Sequence, residues 1–367
     1  MSVRQEKRKK NIRGIFITVI VIAVIAVAAF AVVMAQSGNL LTSEQRAEAY
    51  YYSSDANSVY SSVGDGFAVA SGSGLQVFGK DGVQTLSETY IMDTPAISSG
   101  GKNAVVYDIG SNTVKIFNDS EILLSTKTDG AVISAKMNAK GWTALCVEET
   151  GYQGAVYVYN SSGTLSYKWL SGNSYILSAA VSPDNKYVAV LCLNEDGTKI
   201  MSLKLDDESY SEETYISGEI LIDVDFASDG SVYGLSSSRL YLISSPGAAE
   251  IIYSFDDMHL SDYNIQGSAV LALDEYKSGG TCQIVSVSKN GTVSHLADAG
   301  NGILSMSVGS KYTAVLTDTE LNIYDTSSGE LCSSYTVSAC VKVVVYDDGA
   351  VVSAARHCAA VYSAKGN

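Results

Sequence analysis

The chain has 367 residues, 46% of them hydrophobic and 17% charged, so it can bury a sizeable core and is not a disordered segment. Residues 1–13 hold six basic residues and one acid, a balance of +5. The formal net charge of −15 therefore leaves −20 on the remainder. An acidic body repels phosphate backbones, and this excludes nucleic acid as the expected partner.

The N-terminal region has the pattern of a membrane anchor. Residues 14–35 contain no charge and are rich in Ile, Val, Ala and Phe, and about 20 such residues cross a bilayer as a helix. The basic tail precedes this span, so the positive-inside rule predicts a single-pass helix in the cell membrane, a cytoplasmic tail at 1–13 and an extracytoplasmic body. A cleaved signal peptide ending near Ala35 is the alternative, but the long apolar run favours a retained signal-anchor.

Residues 36–54 are predicted to be a spacer, and residues 55–367 the ectodomain. Three consecutive tyrosines, Tyr50, Tyr51 and Tyr52, lie in this spacer. They suit either the membrane interface or the beginning of a strand, and the sequence leaves both readings open.

One strand–turn–strand unit recurs through the rest of the chain. In residues 175–194, Ser182-Pro183-Asp184-Asn185 has the composition of a tight turn between two apolar runs. Similar turns follow at intervals of 35 to 45 residues, close to the roughly 40–45 residues of a four-stranded propeller blade. Their centres are near Asp65, Gly100, Lys140, Asn185, Asp229, Gly267, Ser310 and Asp348.

These turns predict an all-β fold, a β-propeller of four-stranded blades. Eight turns imply eight blades, with seven as the alternative if a terminal unit is incomplete, and a β-helix as the alternative fold. The last unit, 339–364, supplies only three strands. A propeller has no free edge if the missing strand comes from the other end of the repeats, and residues 49–60 are the expected donor.

Candidate catalytic residues are sparse. The three histidines lie in different units, and the chain has no His-Glu-x-x-His, Cys-x-x-Cys, Gly-x-Ser-x-Gly, Walker or Gly-x-Gly-x-x-Gly motif. No catalytic residue, metal ligand or cofactor is therefore predicted. Among six cysteines, Cys146 and Cys192 occupy matching strand positions and are interpreted as core residues. Cys332 and Cys340 are the one pair worth testing for a disulfide, with no disulfide as an equal expectation.

The segment Ser-Pro-Asp-Asn-Lys-Tyr-Val-Ala-Val at 182–190 resembles the WD40-like and quinoprotein-like propellers of bacteria. The Lys-Arg-Lys-Lys tail with one span, the segment 74–82 and the segment 105–110 together resemble a Gram-positive family of N-terminally anchored propeller proteins, a domain of unknown function. That resemblance implies a propeller over nearly the whole chain and no particular functional residues. Tryptophan is present only at Trp142 and Trp169, too few for the per-blade tryptophans of quinoprotein dehydrogenases.

Two functions compete. The first is an envelope propeller that binds a basic protein or a cell-envelope partner as a scaffold, without chemistry. The second is a lactonase- or hydrolase-type enzyme with a metal in its central channel, which requires converging carboxylates or imidazoles. Asp223 and Asp225 are the main acids on the identifiable inner strands, and both come from one unit, so binding is favoured.

The expected binding surface consists of the loops between the second and third strands of each blade, which share one propeller face with the blade-to-blade connections. Five of these loops hold nine carboxylates and one lysine, and such a face attracts a basic partner. Acidic loops that merely keep the ectodomain soluble are the alternative. The candidate partner-binding residues are Asp108, Glu148, Glu149, Tyr152, Glu195, Asp196, Asp274, Glu275, Tyr276, Asp318 and Glu320.

Overall fold

The computed structural model describes residues 47–364 apart from 246, 278, 301 and 347. Within this part of the chain, thirty-two strands form eight four-stranded sheets. In the first seven sheets each strand pairs with its neighbour in sequence, and the pairing is antiparallel, as in the sheet formed by residues 175–217. These sheets are the blades of a β-propeller, which confirms the prediction of eight blades.

The first four blades follow in chain order. Blade 1 comprises β2 Val59–Val63, β3 Gly66–Ala70, β4 Gly74–Phe78 and β5 Gln84–Thr89. Blade 2 comprises β6 Pro95–Gly100, β7 Asn103–Asp108, β8 Thr113–Asn118 and β9 Ile122–Lys127. Blade 3 comprises β10 Val132–Met137, β11 Thr143–Val147, β12 Gly154–Tyr159 and β13 Leu165–Ser171. Blade 4 comprises β14 Tyr175–Val181, β15 Tyr187–Asn194, β16 Gly197–Lys204 and β17 Asp207–Ser217.

The remaining blades complete the ring. Blade 5 comprises β18 Leu221–Phe226, β19 Val232–Ser236, β20 Arg239–Ser245 and β21 Ala248–Ser254. Blade 6 comprises β22 His259–Asn264, β23 Ala269–Tyr276, β24 Gly279–Val287 and β25 Val293–Ala299. Blade 7 comprises β26 Ser305–Val308, β27 Tyr312–Leu316, β28 Glu320–Asp325 and β29 Leu331–Thr336. Blade 8 comprises β30 Cys340–Val345, β31 Ala350–Ala355, β32 Cys358–Ser363 and β1 Ala47–Tyr51.

The burial of each strand follows from its radial position. First strands of successive blades contact one another around the channel, as β10, β14 and β18 do. Second strands such as β3, β7 and β11 are buried along their whole length, because both faces of the blade are covered by neighbouring blades. They therefore read as continuous apolar runs. Outermost strands such as β5 alternate between half-buried and exposed residues.

The core consists of apolar clusters between adjacent blades. Cys146 of blade 3 and Cys192 of blade 4, for example, belong to the same cluster, and burial raises the pKa of both thiols to about 12. Among the described residues there are eight such clusters, each drawn from two neighbouring blades. One of them joins blade 8 to blade 1, so the ring is closed by packing all the way round.

The N-terminal strand β1 closes the ring. It pairs with β32 as the fourth strand of blade 8, as predicted for residues 49–60, although Val59 and Tyr60 belong to blade 1. Tyr50 is buried against Phe67 and Phe78 of blade 1. The hydroxyl of Tyr52 donates to the carbonyl oxygens of Ala355 at 2.6 Å and Cys358 at 2.9 Å. The three tyrosines thus form and follow a strand, and part of the predicted spacer lies in the propeller.

The predicted turns are confirmed as the connections between the first and second strands of the blades. In the turn of blade 4, Asn185 adopts a φ of 62° and its amide nitrogen donates to the carbonyl oxygen of Ser182 at 3.0 Å. The Ser182 hydroxyl donates to Asp184 Oδ1 at 2.7 Å. Side chains of the Ser-Pro-Asp-Asn segment therefore close the turn, as expected.

Two further expectations concern a disulfide and the membrane span. The Cys332–Cys340 disulfide is absent, because all six cysteines are free thiols. Cys332 lies in an outer strand of blade 7, whereas Cys340 lies in the channel strand of blade 8. The predicted membrane span at 14–35 lies outside the described residues. Over the part of the chain that is described, no helix is long and apolar enough to span a bilayer.

Candidate functional site

One face of the propeller carries the loops between second and third strands together with the blade-to-blade connections. Because the strands of a blade alternate in direction, these two kinds of connection lie at the same end, and the turns between first and second strands lie at the other. We call the first end the loop face and the second the turn face. The five acidic loops predicted from the sequence connect the second and third strands of blades 2, 3, 4, 6 and 7, so all five belong to the loop face.

Most of the predicted acids on the loop face reach solvent. Glu195 and Asp196 form the two-residue connection between β15 and β16, in which Asn194 pairs with Gly197. Tyr152 and Tyr276 are among the most exposed large side chains. The exposed members of the predicted set are Glu148, Tyr152, Glu195, Asp196, Glu275, Tyr276, Asp318 and Glu320.

The other three predicted residues are held inside the blades. Asp108 is only 3% exposed, and its Oδ1 accepts a hydrogen bond from the Thr94 amide at 2.7 Å. Glu149 accepts from the Tyr157 hydroxyl at 2.5 Å and pairs with Lys168 at 3.2 Å, and the bond from Tyr157 is the main cause of its lowered pKa.

Asp274 is half-buried opposite Cys282 of β24. Its Oδ1 is shielded from solvent and has no hydrogen-bond partner. The side chains of these three residues are therefore held by contacts within the protein and are not free surface acids. Their position in loops did not reveal the burial, because the burial depends on the neighbouring connections.

Apolar residues concentrate on the loop face, a feature that sequence reasoning did not identify. Of the sixteen exposed large hydrophobic side chains among the described residues, ten lie in loop-face connections or in the two residues at the loop-face end of a strand, four lie at the turn-face counterparts, and two lie along outermost strands. The four on the turn face are Val83, Leu165, Val293 and Leu331. Those on the loop face are Tyr51, Ile91, Ile109, Tyr152, Tyr175, Ile220, Ile222, Tyr276, Leu304 and Val341.

Bulges in the first strands place some of these residues at the mouth of the channel. The register shifts at Ile222 in β18 and at Val341 in β30, near the loop-face end of each strand. A bulge leaves one residue unpaired and redirects its side chain. Ile133 and Leu177 occupy the same register position in β10 and β14 and are half-buried. The first strands therefore supply an apolar rim around the mouth.

A cavity of about 360 Å³ opens between blades 6 and 7 on the loop face. Its lining includes Asp318 and Glu320, both predicted, and Asp298, which was not predicted. Asp298 lies near Asp318 and Glu320 because its strand, β25, is adjacent to blade 7 in the ring. Three carboxylates around one cavity suit a cationic side chain of a partner.

On one side of the channel, ion pairs connect the first strands of two blades. Lys136 Nζ of blade 3 pairs with Asp223 Oδ2 at 2.8 Å and with Asp225 Oδ2 at 3.3 Å, both from blade 5. Their side chains are 22%, 11% and 7% exposed in that order. Burial by itself lowers the pKa of the Lys136 ammonium, but the two carboxylates outweigh burial and raise it. Lys136 is therefore a buried cation that neutralises the acids.

Further hydrogen bonds gather around the same carboxylates. Asp223 accepts from the hydroxyls of Ser178 at 2.7 Å and Tyr263 at 3.1 Å, and the Gln266 side chain donates to the Met137 carbonyl oxygen at 2.8 Å. Blades 3, 4, 5 and 6 meet in this network, which we call the locked half of the channel.

The metal-dependent alternative relied on Asp223 and Asp225 converging with other ligands. In the structure their oxygens face the Lys136 ammonium, so the site for a cation is filled by a side chain. Within the described residues, no three His, Cys, Asp or Glu side chains lie together in a way that could hold a metal ion.

The other half of the channel, formed by blades 7, 8, 1 and 2, is open. Most of the lining of a cavity of about 320 Å³ comes from these blades, with serine hydroxyls and Lys342 among its residues. A second cavity, of about 640 Å³, opens toward the loop face and shares Tyr60 and Lys342 with the first. We call the two cavities together the open half.

The fold and this face define the class of the molecule, an eight-bladed β-propeller with a concentrated acidic and apolar surface. Residues 41–367 match the family of unknown function DUF5711, and the chain belongs to that family. No curated protein matches the chain.

Among solved structures the chain is similar to Sqt1 of Saccharomyces cerevisiae, with a TM-score of 0.61, 10% identity and coverage of 88% of this chain and 99% of Sqt1. It is also similar to a structure described as the eukaryotic initiation factor, with a TM-score of 0.56, 11% identity and coverage of 88% and 94% of the two chains. At such low identity the similarity shows the β-propeller fold alone.

Proposed function

We propose that this protein is a membrane-anchored, extracytoplasmic scaffold whose loop face binds a protein with basic and apolar side chains. Propellers commonly serve as protein-binding scaffolds, and function resides in the surface that a given chain places on the fold. The observation that carries the proposal is the asymmetry of the two faces, with ten exposed large hydrophobic side chains on the loop face and four on the turn face.

The charges on the loop face support a partner with basic side chains. Among the described residues, Lys277 and Arg356 are the only lysine or arginine in its connections, whereas exposed carboxylates come from several blades. The turn face mixes both signs, and Lys80 pairs there with Asp348 at 2.6 Å. Apolar anchors surrounded by charge of one sign are typical of a surface that binds a complementary partner.

The test compares the two faces. Crosslinking in intact cells followed by affinity purification of the full-length protein identifies the partner, whose affinity is then measured with purified components. Neutralising four loop-face acids should weaken binding about tenfold or more at low salt and much less at high salt, because screening reduces long-range attraction. The four substitutions are Glu148→Gln, Glu195→Gln, Asp196→Asn and Asp318→Asn.

The matched control removes the same charge from the turn face with Asp65→Asn, Asp119→Asn, Glu121→Gln and Glu330→Gln. A second pair compares Ile222→Ser and Val341→Ser on the loop face with Val83→Ser on the turn face. The proposal is wrong if loop-face and turn-face variants change affinity equally. Equal changes would mean that the acids act only through net charge.

The membrane topology is part of the proposal and has its own test. The uncharged run 14–35 behind the basic tail supports a retained span with the propeller outside. Protease added to intact cells should therefore digest the propeller, and the mature N terminus should precede residue 36. A protected propeller would contradict the orientation, and a mature protein beginning at residue 36 would contradict the anchor.

A further inference from the structure

Lys342 occupies a register position that the other blades use to connect neighbours. It is the first paired residue after the bulge in β30. Ser134, Ser178 and Asp262 hold that position in their own strands, and each makes a hydrogen bond to the next blade. The Ser134 hydroxyl donates to the Leu177 carbonyl oxygen at 3.2 Å, and the Ser178 hydroxyl donates to Asp223 Oδ1 at 2.7 Å. Asp262 accepts a hydrogen bond from the Met306 amide at 3.0 Å.

Lys342 does not take part in such a connection. In the described part of the chain its side chain makes no hydrogen bond and no ion pair, although the residue is half-buried. The first strands contain one other lysine, Lys136, which is matched by two carboxylates. A cation that is partly desolvated without a counter-charge costs free energy unless a ligand supplies the charge.

Lys342 lines a cavity together with a second cation that has no ion pair among the described residues. Arg356, from the turn between β31 and β32, lines the 640 Å³ cavity together with Lys342 and makes no ion pair among the described residues. Two unpaired cations at one cavity are unusual for a body that carries −20. The cavity volume is in the range of small-molecule sites, about 300–1,000 Å³.

The one carboxylate in this lining is already engaged. Asp55 Oδ2 accepts a hydrogen bond from the Gly72 amide at 2.8 Å, and its Oδ1 accepts from the Asn57 amide at 2.9 Å and the Ser58 hydroxyl at 3.1 Å. These bonds hold Asp55 to the connection before β2. The lining still has a net positive charge, because the two cations Lys342 and Arg356 outnumber this one carboxylate.

Below the two cations the channel offers hydroxyl groups. Ser61, Ser62, Ser99 and Ser307 line the deeper cavity, and the Ser61 hydroxyl donates to Ser99 Oγ at 2.6 Å. Hydroxyls that both donate and accept suit the hydroxyl groups of a polar ligand. The deeper cavity meets the upper one at Lys342 and Tyr60, so one ligand can contact both.

We propose that the open half of the channel is a binding site for a small oxyanion ligand, a hydroxylated carboxylic acid or a phosphate ester. Its anionic group pairs with Lys342 and Arg356, and its hydroxyl groups lie along the channel serines. Charge-assisted hydrogen bonds to lysine and arginine are the usual means by which proteins hold such groups. This site contains none of the predicted acidic residues, although its rim shares Val341 and Arg356 with the loop face, and it does not depend on the partner proposed for that face.

The experiment titrates the full-length protein with inorganic phosphate and, in a second arm, with citrate, by isothermal titration calorimetry at low ionic strength. The two arms distinguish a phosphate site from a carboxylate site. Lys342→Gln and Arg356→Gln should each weaken binding of the preferred anion about tenfold, as expected for loss of one charge-assisted bond. Lys342→Arg should retain most of the affinity.

The matched control is Lys140→Gln, which removes an exposed lysine without an ion pair from the turn face. It should bind like the wild type, as should the loop-face variant with four neutralised acids. Circular dichroism melting of every variant separates loss of binding from loss of folding. The proposal is overturned if neither anion binds the wild type, or if Lys140→Gln weakens binding as much as Lys342→Gln.

Discussion

The two halves of the central channel use the same kind of strand for opposite purposes. In the locked half, Lys136 is neutralised by Asp223 and Asp225 of the next blade but one. In the open half, Lys342 meets two cavities and no carboxylate partner within the described residues. The contrast shows that a first strand of this propeller can connect the ring or present a charge. What differs is the presence of acids on a nearby first strand.

The ion pairs of the locked half contribute little net free energy to stability. Removing two carboxylates and an ammonium from water costs several kcal/mol for each ion, and the pairing largely offsets this cost. We expect the network instead to fix how the first strands of blades 3 and 5 align, because it satisfies all three charges in one arrangement. The open half has no such constraint and is free to bind.

The largest expected effect follows from breaking the locked half. Lys136→Met leaves Asp223 and Asp225 buried without a counter-charge, and should lower the free energy of unfolding by about 3–5 kcal/mol. Urea unfolding of the full-length protein in detergent, followed by circular dichroism, measures the change. Adding Asp223→Asn and Asp225→Asn to Lys136→Met should recover most of the loss. Unchanged stability in Lys136→Met would show that the charges do not lock the channel.

The next effect concerns the closure of the ring on the open half. Tyr52→Phe removes the donor shared by the carbonyl oxygens of Ala355 and Cys358, and should cost about 1–3 kcal/mol because both acceptors stay shielded. Tyr51→Phe, on the same segment but exposed, is the control and should be neutral. Equal stability of the two variants would mean that the Tyr52 hydroxyl does not hold the N-terminal strand in place.

Lys342→Met provides the direct comparison with Lys136→Met. Since Lys342 has no partner to lose and its ammonium is partly desolvated, the substitution should leave the free energy of unfolding unchanged or raise it, and should lower it by no more than about 0.5 kcal/mol. The same urea unfolding experiment measures it. A loss as large as that of Lys136→Met would show that Lys342 has a structural role and would remove the distinction between the halves.

The smallest effect is a pH dependence at the edge of the locked half, where Asp229 of blade 5 pairs with Lys289 of blade 6. The bond from Lys289, and then the bond from Ser231, lower the pKa of Asp229 to about 2, below the usual value of about 3.9. Its contribution is therefore present above about pH 4 and is lost as the pH falls toward 2.

Asp229→Asn should cost about 0.5 kcal/mol or less at pH 5, because the pair is half-exposed, and this cost should vanish as the pH falls through the pKa of about 2. Unfolding of both proteins across this range measures the difference. Asp119→Asn, at an exposed carboxylate for which the described residues supply no hydrogen-bond partner, is the control and should leave the free energy of unfolding at pH 5 unchanged. A cost of Asp229→Asn that does not decline as the pH falls from 4 toward 2 would contradict the assigned ionisation.

Local patterns were sufficient to predict the blades. The turn at Ser182–Asn185 closes through its own side chains, and the second strands are apolar throughout because both faces are covered. Cys146 and Cys192 were identified as core residues by their matching positions, and they share one cluster. Each of these features depends on a few neighbouring residues or on the repeat, both of which are visible along the chain.

Contacts between distant segments required the ring. The sequence left Tyr50 to Tyr52 undecided between a strand and the membrane interface, because their partners lie about 300 residues further along the chain. Asp108 and Glu149 looked like surface acids until the adjacent connections and strands covered them. Neither the Lys136 network nor the cavity lined by Lys342 and Arg356 follows from spacing, since each is completed by residues of other blades.

The physical reason is the range of the interactions. Alternation, turn chemistry and the period of the repeat act over fewer than about 50 residues, so they determine strands, blades and their number from the chain alone. Ion pairs between first strands of different blades form only after the ring has closed and brought those strands together. The residues that distinguish the locked half from the open half therefore acquire their partners, or lack them, only in the folded propeller.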